Sequence, residues 1–287
     1  MTDALDEGRK HRLALGEPFA EVTLGYREWG PADAPRTVVC VHGLTRNAAD
    51  FAALATALAA RGARVLAVDV VGRGDSSWLD DPAGYAVPTY AAHLAHWLRL
   101  LGLDGVDWVG TSMGGLVGMA LAAGERPPMA RLVLNDVGPF VPKAALEEIG
   151  TYLAKELRFA GLDDVDAHLR KIHAGFGPLT DAQWRRLAAT SVVPDGDGWR
   201  LHYDPAIRVP YVDLAADDID LWELYDRITV PTLVLHGADS PLLDDATCAA
   251  MAARGPRAEV RRFEGVGHAP ALLAADQIEA VAAWLGL

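Results

Sequence analysis

Cysteine is scarce in this chain. Cys40 and Cys248 are the only two in 287 residues, too few for a disulfide framework. Cys40 lies inside the apolar stretch TVVCVHG, where a free thiol packs as a small hydrophobe, so neither cysteine is expected to act as a catalytic thiol. Basic residues are outnumbered: 26 Lys and Arg stand against 39 Asp and Glu, a net charge of −13. That balance disfavours nucleic acid and anionic membrane surfaces as partners. No apolar run approaches the roughly 18 residues that a membrane span requires. The opening residues, MTDALDEGRKHR, are polar and of mixed charge, without the apolar stretch of a signal peptide. A cytoplasmic protein is the resulting expectation. Also lacking are repeats, a low-complexity linker, a P-loop, an H-E-x-x-H zinc motif and the G-x-G-x-x-G spacing of a dinucleotide site. His93 and His96, and His168 and His173, are close in sequence but have no third ligand motif.

What is present has the composition of a large soluble core, with 51% apolar and 23% charged residues. EVTLGYREWG alternates apolar and polar residues, as an antiparallel strand with one solvated face does. TVVCVHG (37–43), RVLAVDVVG (64–72), VDWVG (106–110) and RLVLND (131–136) are nearly continuous apolar runs, the mark of parallel strands covered on both faces. Helical patterns fall between them. In TYAAHLAHWLRLL, residues Tyr90, Leu94, Trp97, Leu98 and Leu101 form one apolar stripe. The alternation predicts an α/β fold with a doubly wound, mostly parallel sheet. From residue 139 to about 225 the rhythm gives way to prolines and helical segments with no clean buried strand. It resumes at VPTLVLHG (230–237) and AEVRRFEG (258–265). We therefore expect a sheet core, 1–138 and 226–287, interrupted by a mainly helical insertion, 139–225, that caps the C-terminal edge of the sheet.

The stretch DWVGTSMGGLVGMA sets Gly110, Gly114, Gly115 and Gly118 around Ser112. Gly110-Thr111-Ser112-Met113-Gly114 fits G-x-S-x-G between a strand and a helix. There a sharp turn lifts the serine hydroxyl clear of the sheet, and glycines let neighbouring backbone approach. A serine hydroxyl is a weak nucleophile without a base in reach. In this architecture the acid and then the histidine follow the serine in the chain. His268, in GVGHAP, and Asp239, in HGADSP, each follow a strand at the edge where Ser112 emerges. Ser112, Asp239 and His268 are thus the candidate catalytic triad. Asp136, after RLVLN, is the competing acid. Transition-state charge on a carbonyl oxygen calls for two amide donors: the N–H of Met113, and that of Leu44 in HGLTRN. His42 is expected to support that loop through hydrogen bonds, and Asp69 and Asp75 to organise the loop of Gly72 and Gly74.

The blocks VCVHG, DVVGRGDS, GTSMGG, LVLNDVG, LVLHGADS and GVGHAP occur in the order found in the α/β-hydrolase superfamily, which the chain resembles outside its first dozen residues. The resemblance implies an eight-stranded, mostly parallel sheet with a helical cap, hydrolysis through an acyl-enzyme, and neither cofactor nor metal. Haloalkane dehalogenases and epoxide hydrolases of the family carry aspartate at the nucleophile position, which Ser112 argues against. The preferred expectation is a serine carboxylic-ester hydrolase acting on a small or medium uncharged ester, a lactone or a short hydroxyacid oligoester. Phe140, Tyr152, Phe159, Phe176, Trp184, Trp222 and Tyr225 of the insertion are candidates for lining its pocket. The alternatives are a carbon–carbon bond hydrolase of dienoic ring-cleavage products, with Arg46, Arg158 or Arg208 at the substrate carboxylate, and a slow-turnover, ligand-sensing hydrolase. The partner is a small-molecule substrate, and the oligomeric state is left open.

Overall fold

A computed structural model describes residues 5–153, 157–214 and 217–287, with the side chains of 212–214 excepted. The first four residues of the polar N-terminus lie outside the described residues. Eight strands form the main sheet. They are β1 (Arg9–Ala14), β2 (Thr23–Trp29), β3 (Thr37–Val41), β4 (Arg64–Val68), β5 (Val106–Thr111), β6 (Met129–Asn135), β7 (Thr232–Gly237) and β8 (Glu259–Phe263). Their spatial order is β1-β2-β4-β3-β5-β6-β7-β8. β1 and β2 pair antiparallel at one edge, β2 runs antiparallel to β4, and the remaining neighbours are parallel. β1 is an unexpected element. RKHRLA is half exposed, and its charges suit an edge strand that must not pair with other chains.

The apolar runs become strands because both faces of the sheet are covered. Along β3, Val39 and Val41 enter one core while Val38 and Cys40 enter the other, and β4 divides Leu66 and Val68 from Val65 and Ala67 in the same way. Helices α1 (Ala52–Ala59), α2 (Val87–Leu100) and α3 (Met113–Ala122) follow the first strands. α2 buries Tyr90, Leu94, Trp97 and Leu98 of its expected stripe, and Leu101 packs, partly buried, beside them.

Between β6 and β7 no described residue joins the main sheet. This stretch carries α4 (Lys143–Leu153), α5 (Leu162–Ile172), α6 (Asp181–Thr190), α7 (Arg208–Leu214) and α8 (Trp222–Tyr225). Among its described residues it also carries five short strands, none of them buried along its whole length. Phe140–Val141 pairs with Ile219–Asp220, and Arg158–Phe159, Gly198–Leu201 and Val192–Asp195 form a three-stranded sheet. Strands of two to four residues are too short to leave a periodicity in the sequence. The stretch has a core of its own, including Val165, Leu169, Trp184 and Leu187. It is tied to the loops of the main sheet by backbone hydrogen bonds. Gly74 N–H donates to the His202 carbonyl at 3.0 Å, and Gly267 N–H to that of Gly175 at 2.7 Å. α9 (Asp245–Ala253) and α10 (Ala275–Leu285) complete the fold.

Candidate active site

Ser112 stands between β5 and α3 with φ 51° and ψ −116°, a conformation that side chains rarely adopt. The glycines around it are required by contact. A Cβ at Gly110 would overlap the Gly114 carbonyl, and one at Gly114 would overlap the carbonyl of Val41 on β3. At Gly115 and Gly118 it would strike Val137 and the Trp108 indole, so these two residues set how closely α3 lies on the sheet. The cost of the strained serine is carried by this packing.

His268, in the loop after β8, accepts at Nε2 from the Ser112 hydroxyl at 2.9 Å. Its Nδ1–H donates to Asp136 Oδ2 at 2.8 Å. Asp136 is wholly buried at the end of β6, where a left-handed residue (φ 54°) turns the chain toward His268. Its carboxylate is saturated with donors, since Oδ1 accepts from the Gly237 amide at 2.8 Å and Oδ2 also from the Ser240 hydroxyl at 2.6 Å. Asn135 beside it donates to Thr111 Oγ1 at 3.0 Å and to the Pro270 carbonyl at 2.8 Å, joining the serine strand to the histidine loop.

The expectation of Asp239 against His268 is therefore corrected: Asp136 occupies that position. Both aspartates follow neighbouring strands of the same sheet edge. Asp239 is exposed, its amide donates to the Val266 carbonyl at 2.9 Å, and the next residue, Ser240, serves Asp136. Asp239 instead lines the rim of the cavity above Ser112.

Met113 opens α3, so its amide has no partner within the helix. Leu44 lines the cavity wall together with Ser112. His42 supports the Leu44 loop as expected. Its Nδ1–H donates to the Gly43 carbonyl at 2.7 Å, and its Nε2 accepts from the Val70 amide at 3.0 Å. Burial drives its pKa down to about 3, so this ring is neutral. Asp69 accepts from the amides of Ala48 (2.7 Å) and Asp75 (2.9 Å), and burial raises its pKa to about 6. Burial pushes both thiols up, Cys248 to about 12, which removes the thiolate either would need as a nucleophile.

Two cavities meet at Ser112, Leu44, Ile149 and Leu242. One, of about 380 Å³, is almost entirely apolar and runs along α3 past Leu116 to Ala120, beneath Leu146, Ile207 and Leu224. The other, of about 280 Å³, is more polar and carries Glu148, Lys171, His173 and Asp239. The aromatic candidates divide between them unevenly. Tyr152 and Phe176 line the polar cavity, while Phe159 and Trp184 belong to the small core of the inserted stretch. Tyr225 is buried on α8 with its hydroxyl on the Met251 carbonyl, and Trp222 packs edge-on to it. Phe140 lines neither cavity. The aromatics of the apolar cavity are Tyr85, Tyr90 and Tyr211, the first two from the sheet core, and sequence reasoning missed them. Arg46 reaches the polar cavity but is held by Asp50 through two hydrogen bonds, 2.7 and 2.8 Å, and by Ser191 at 2.8 Å. Arg158 pairs with Asp195 away from Ser112, and Arg208 lines neither cavity. Among the described residues no group of three His, Cys, Asp or Glu could hold a metal ion, and no helix is long and apolar enough to cross a membrane.

Residues 36–275 match the family model of the alpha/beta hydrolase fold. The chain belongs to the α/β-hydrolase family. A 3-hydroxybutyrate-oligomer hydrolase of Cupriavidus necator is 43% identical over 264 residues, covering 89% of this chain and 90% of that protein. Among solved structures, a putative hydrolase from Rickettsia typhi superposes with a TM-score of 0.90 at 30% identity, covering 97% of this chain and 99% of that one. An α/β hydrolase from Novosphingobium aromaticivorans gives 0.87 at 34% identity, with 99% of both chains covered. Within this family, hydrolase activity is the common statement these relatives support.

Proposed function

We propose that the protein is a serine hydrolase of carboxylic esters, with Ser112 as nucleophile, His268 as general base and acid, and Asp136 as the carboxylate partner of His268. The observation that carries this reading is the continuous chain Asp136–His268–Ser112, at 2.8 and 2.9 Å, ending where two cavities meet. His268 takes the Ser112 proton as Oγ attacks the ester carbonyl and returns it to the departing alcohol. Asp136 keeps Nδ1 protonated, so that Nε2 is free to accept, and stabilises the imidazolium as it forms. The carbonyl oxygen becomes an oxyanion and is met by the amides of Met113 and Leu44. Water, deprotonated by His268, then releases the acid from the acyl-enzyme. In this reading residues 139–225 act as a cap, roofing both cavities.

The two cavities favour an asymmetric substrate. From Met113 to Ala120, α3 advances about 10 Å, enough for a short or medium apolar acyl group. The polar cavity suits a leaving group with polar or acidic ends. Lys171, in its wall, makes no ion pair among the described residues. A short oligoester of a hydroxyacid, apolar along its length and carboxylate-ended, fits both, and the relative from Cupriavidus necator supports that choice. The test is hydrolysis of dimers and trimers of 3-hydroxybutyrate beside a chain-length series of p-nitrophenyl esters, by wild type and Ser112→Ala. Loss of all turnover in Ser112→Ala is expected. Turnover retained there would remove the nucleophile, and cleavage of esters but not of the oligomers would remove the substrate.

A further inference from the structure

Arg73 has no exposed surface, and no carboxylate lies within ion-pair distance of it among the described residues. Taking a charge out of water without an opposite charge is expensive, and an apolar side chain of similar volume at such a place is commonly neutral or stabilising. Folding alone gives little reason to keep a cation here. Its contacts point elsewhere. Nε–H donates to the Leu44 carbonyl at 2.9 Å, and one Nη donates to the Val71 carbonyl and to the Tyr90 hydroxyl, both at 2.8 Å. The other Nη faces the Met113 sulfur at 3.7 Å. The guanidinium lies over the rings of Tyr90 and Tyr85, 5.0 and 5.7 Å from their centres, and the Tyr85 hydroxyl donates to Asp204 at 2.5 Å. One buried side chain thus touches both residues whose amides are assigned to the oxyanion.

We propose that Arg73 is a positioning residue for the oxyanion site, holding the Leu44 peptide and the Met113 side chain in place beneath the reacting carbonyl. The inference rests on the ester-hydrolase reading above. Nε–H holds the Leu44 carbonyl while the Nη groups are anchored on Val71, Tyr90 and Met113, which limits rotation of the loop that presents the Leu44 N–H. Its positive charge sits in a low-dielectric wall, where it favours negative charge at the two amides. The flanking backbone is itself fixed, since Gly74 N–H is held by the His202 carbonyl and Arg73 forms a β-bridge with Tyr203. A ground-state ester is neutral and gains little from this arrangement. The tetrahedral adduct is anionic and gains most, so the effect falls on kcat rather than KM.

The experiment compares Arg73→Met, Arg73→Gln and Arg73→Lys with wild type on p-nitrophenyl butyrate. It also measures binding of an alkylboronic acid, which forms an anionic tetrahedral adduct with a serine oxygen, and of an ether isostere in which CH2 replaces the carbonyl. Arg73→Met and Arg73→Gln are expected to lose about tenfold to a hundredfold in kcat with KM within about twofold, less than or near the loss of a whole oxyanion donor. Boronate affinity should fall by the same factor and ether affinity should hold. Arg73→Lys, which keeps the charge without the fork, should fall between. A folded Arg73→Met with kcat and boronate affinity within about twofold of wild type overturns the proposal, as does an equal loss of boronate and ether binding. Should Arg73→Met not fold, the same outcomes are read from Arg73→Gln and Arg73→Lys. Wild type that neither cleaves the ester nor binds the boronate would instead overturn the ester-hydrolase reading, and this inference with it.

Discussion

Asparagine at position 136 separates the two aspartates sharply. In Asp136→Asn the amide oxygen can keep the Gly237 bond that Oδ1 now accepts, while the Ser240 hydroxyl, which already accepts from the Leu242 and Leu243 amides, loses its acceptor at position 136. The fold is expected to be retained, with a loss of one side-chain hydrogen bond. The NH2 group, however, then faces His268 Nδ1, where the carboxylate oxygen now accepts at 2.8 Å. Two donors cannot share that contact, so the ring must move its proton to Nε2. Nε2–H then points at Ser112 and can no longer take its proton. The corresponding change in a serine triad costs about 10⁴ in kcat, equivalent to about 5 kcal/mol of transition-state stabilisation. Asp239 is exposed at the rim and touches neither His268 nor Ser112 by any hydrogen bond, so Asp239→Asn should keep activity within about twofold. Steady-state hydrolysis of p-nitrophenyl butyrate by both variants, with circular dichroism to establish folding, reads the difference. A folded Asp136→Asn with near wild-type kcat, or a larger loss in Asp239→Asn, would refute the assignment.

Three further outcomes are expected. Ala120→Phe closes the far end of the apolar cavity, so kcat/KM for long acyl esters should drop about tenfold or more while acetate and propionate esters are unaffected; equal losses across the series would contradict the acyl placement. Lys171→Met should raise KM up to about fivefold for the free-acid dimer of 3-hydroxybutyrate and leave its methyl ester unchanged, the scale of an exposed ion pair, and an equal effect on both would dissociate Lys171 from the carboxylate. His42 is depressed from 6.5 to about 3, so its contribution to stability is complete above the unfolded pKa and is lost as pH falls toward 3. Between pH 7 and 5 it should remove about 2 kcal/mol from wild type and nothing from His42→Gln, read as the difference in urea-unfolding free energies; parallel pH dependences would mean that the ring is not neutral in the fold.

Much of this is legible in the amino-acid sequence alone. Continuous apolar runs announce strands because each face of a doubly covered sheet demands the same chemistry, and G-x-S-x-G announces Ser112 because contact leaves no room for side chains at Gly110 and Gly114. His268 was legible from its place after the last strand. The aspartate that meets His268 was not, because Asp136 and Asp239 sit at the same ends of adjacent strands, and what separates them is the left-handed turn at Asp136 and the aim of the Ser240 hydroxyl. β1 escaped notice because an exposed, basic strand is defined by its partner β2 rather than by its own residues. The tyrosines of the apolar cavity escaped for a related reason. Tyr85 and Tyr90 lie far along the chain from Tyr211 and meet it only through the tertiary fold.

In the proposed assignment, an acid directly after β6 also divides labour along the polypeptide. The proposed nucleophile and carboxylate come from one contiguous strand–helix–strand unit, residues 106–136, and only the imidazole is delivered from a distance. The same assignment leaves the turn that follows β7 without a proton-transfer role at residue 239, although Ser240 still braces Asp136. Under the proposed assignment, residue 239 borders the polar cavity and can change without touching the Asp136–His268–Ser112 chain.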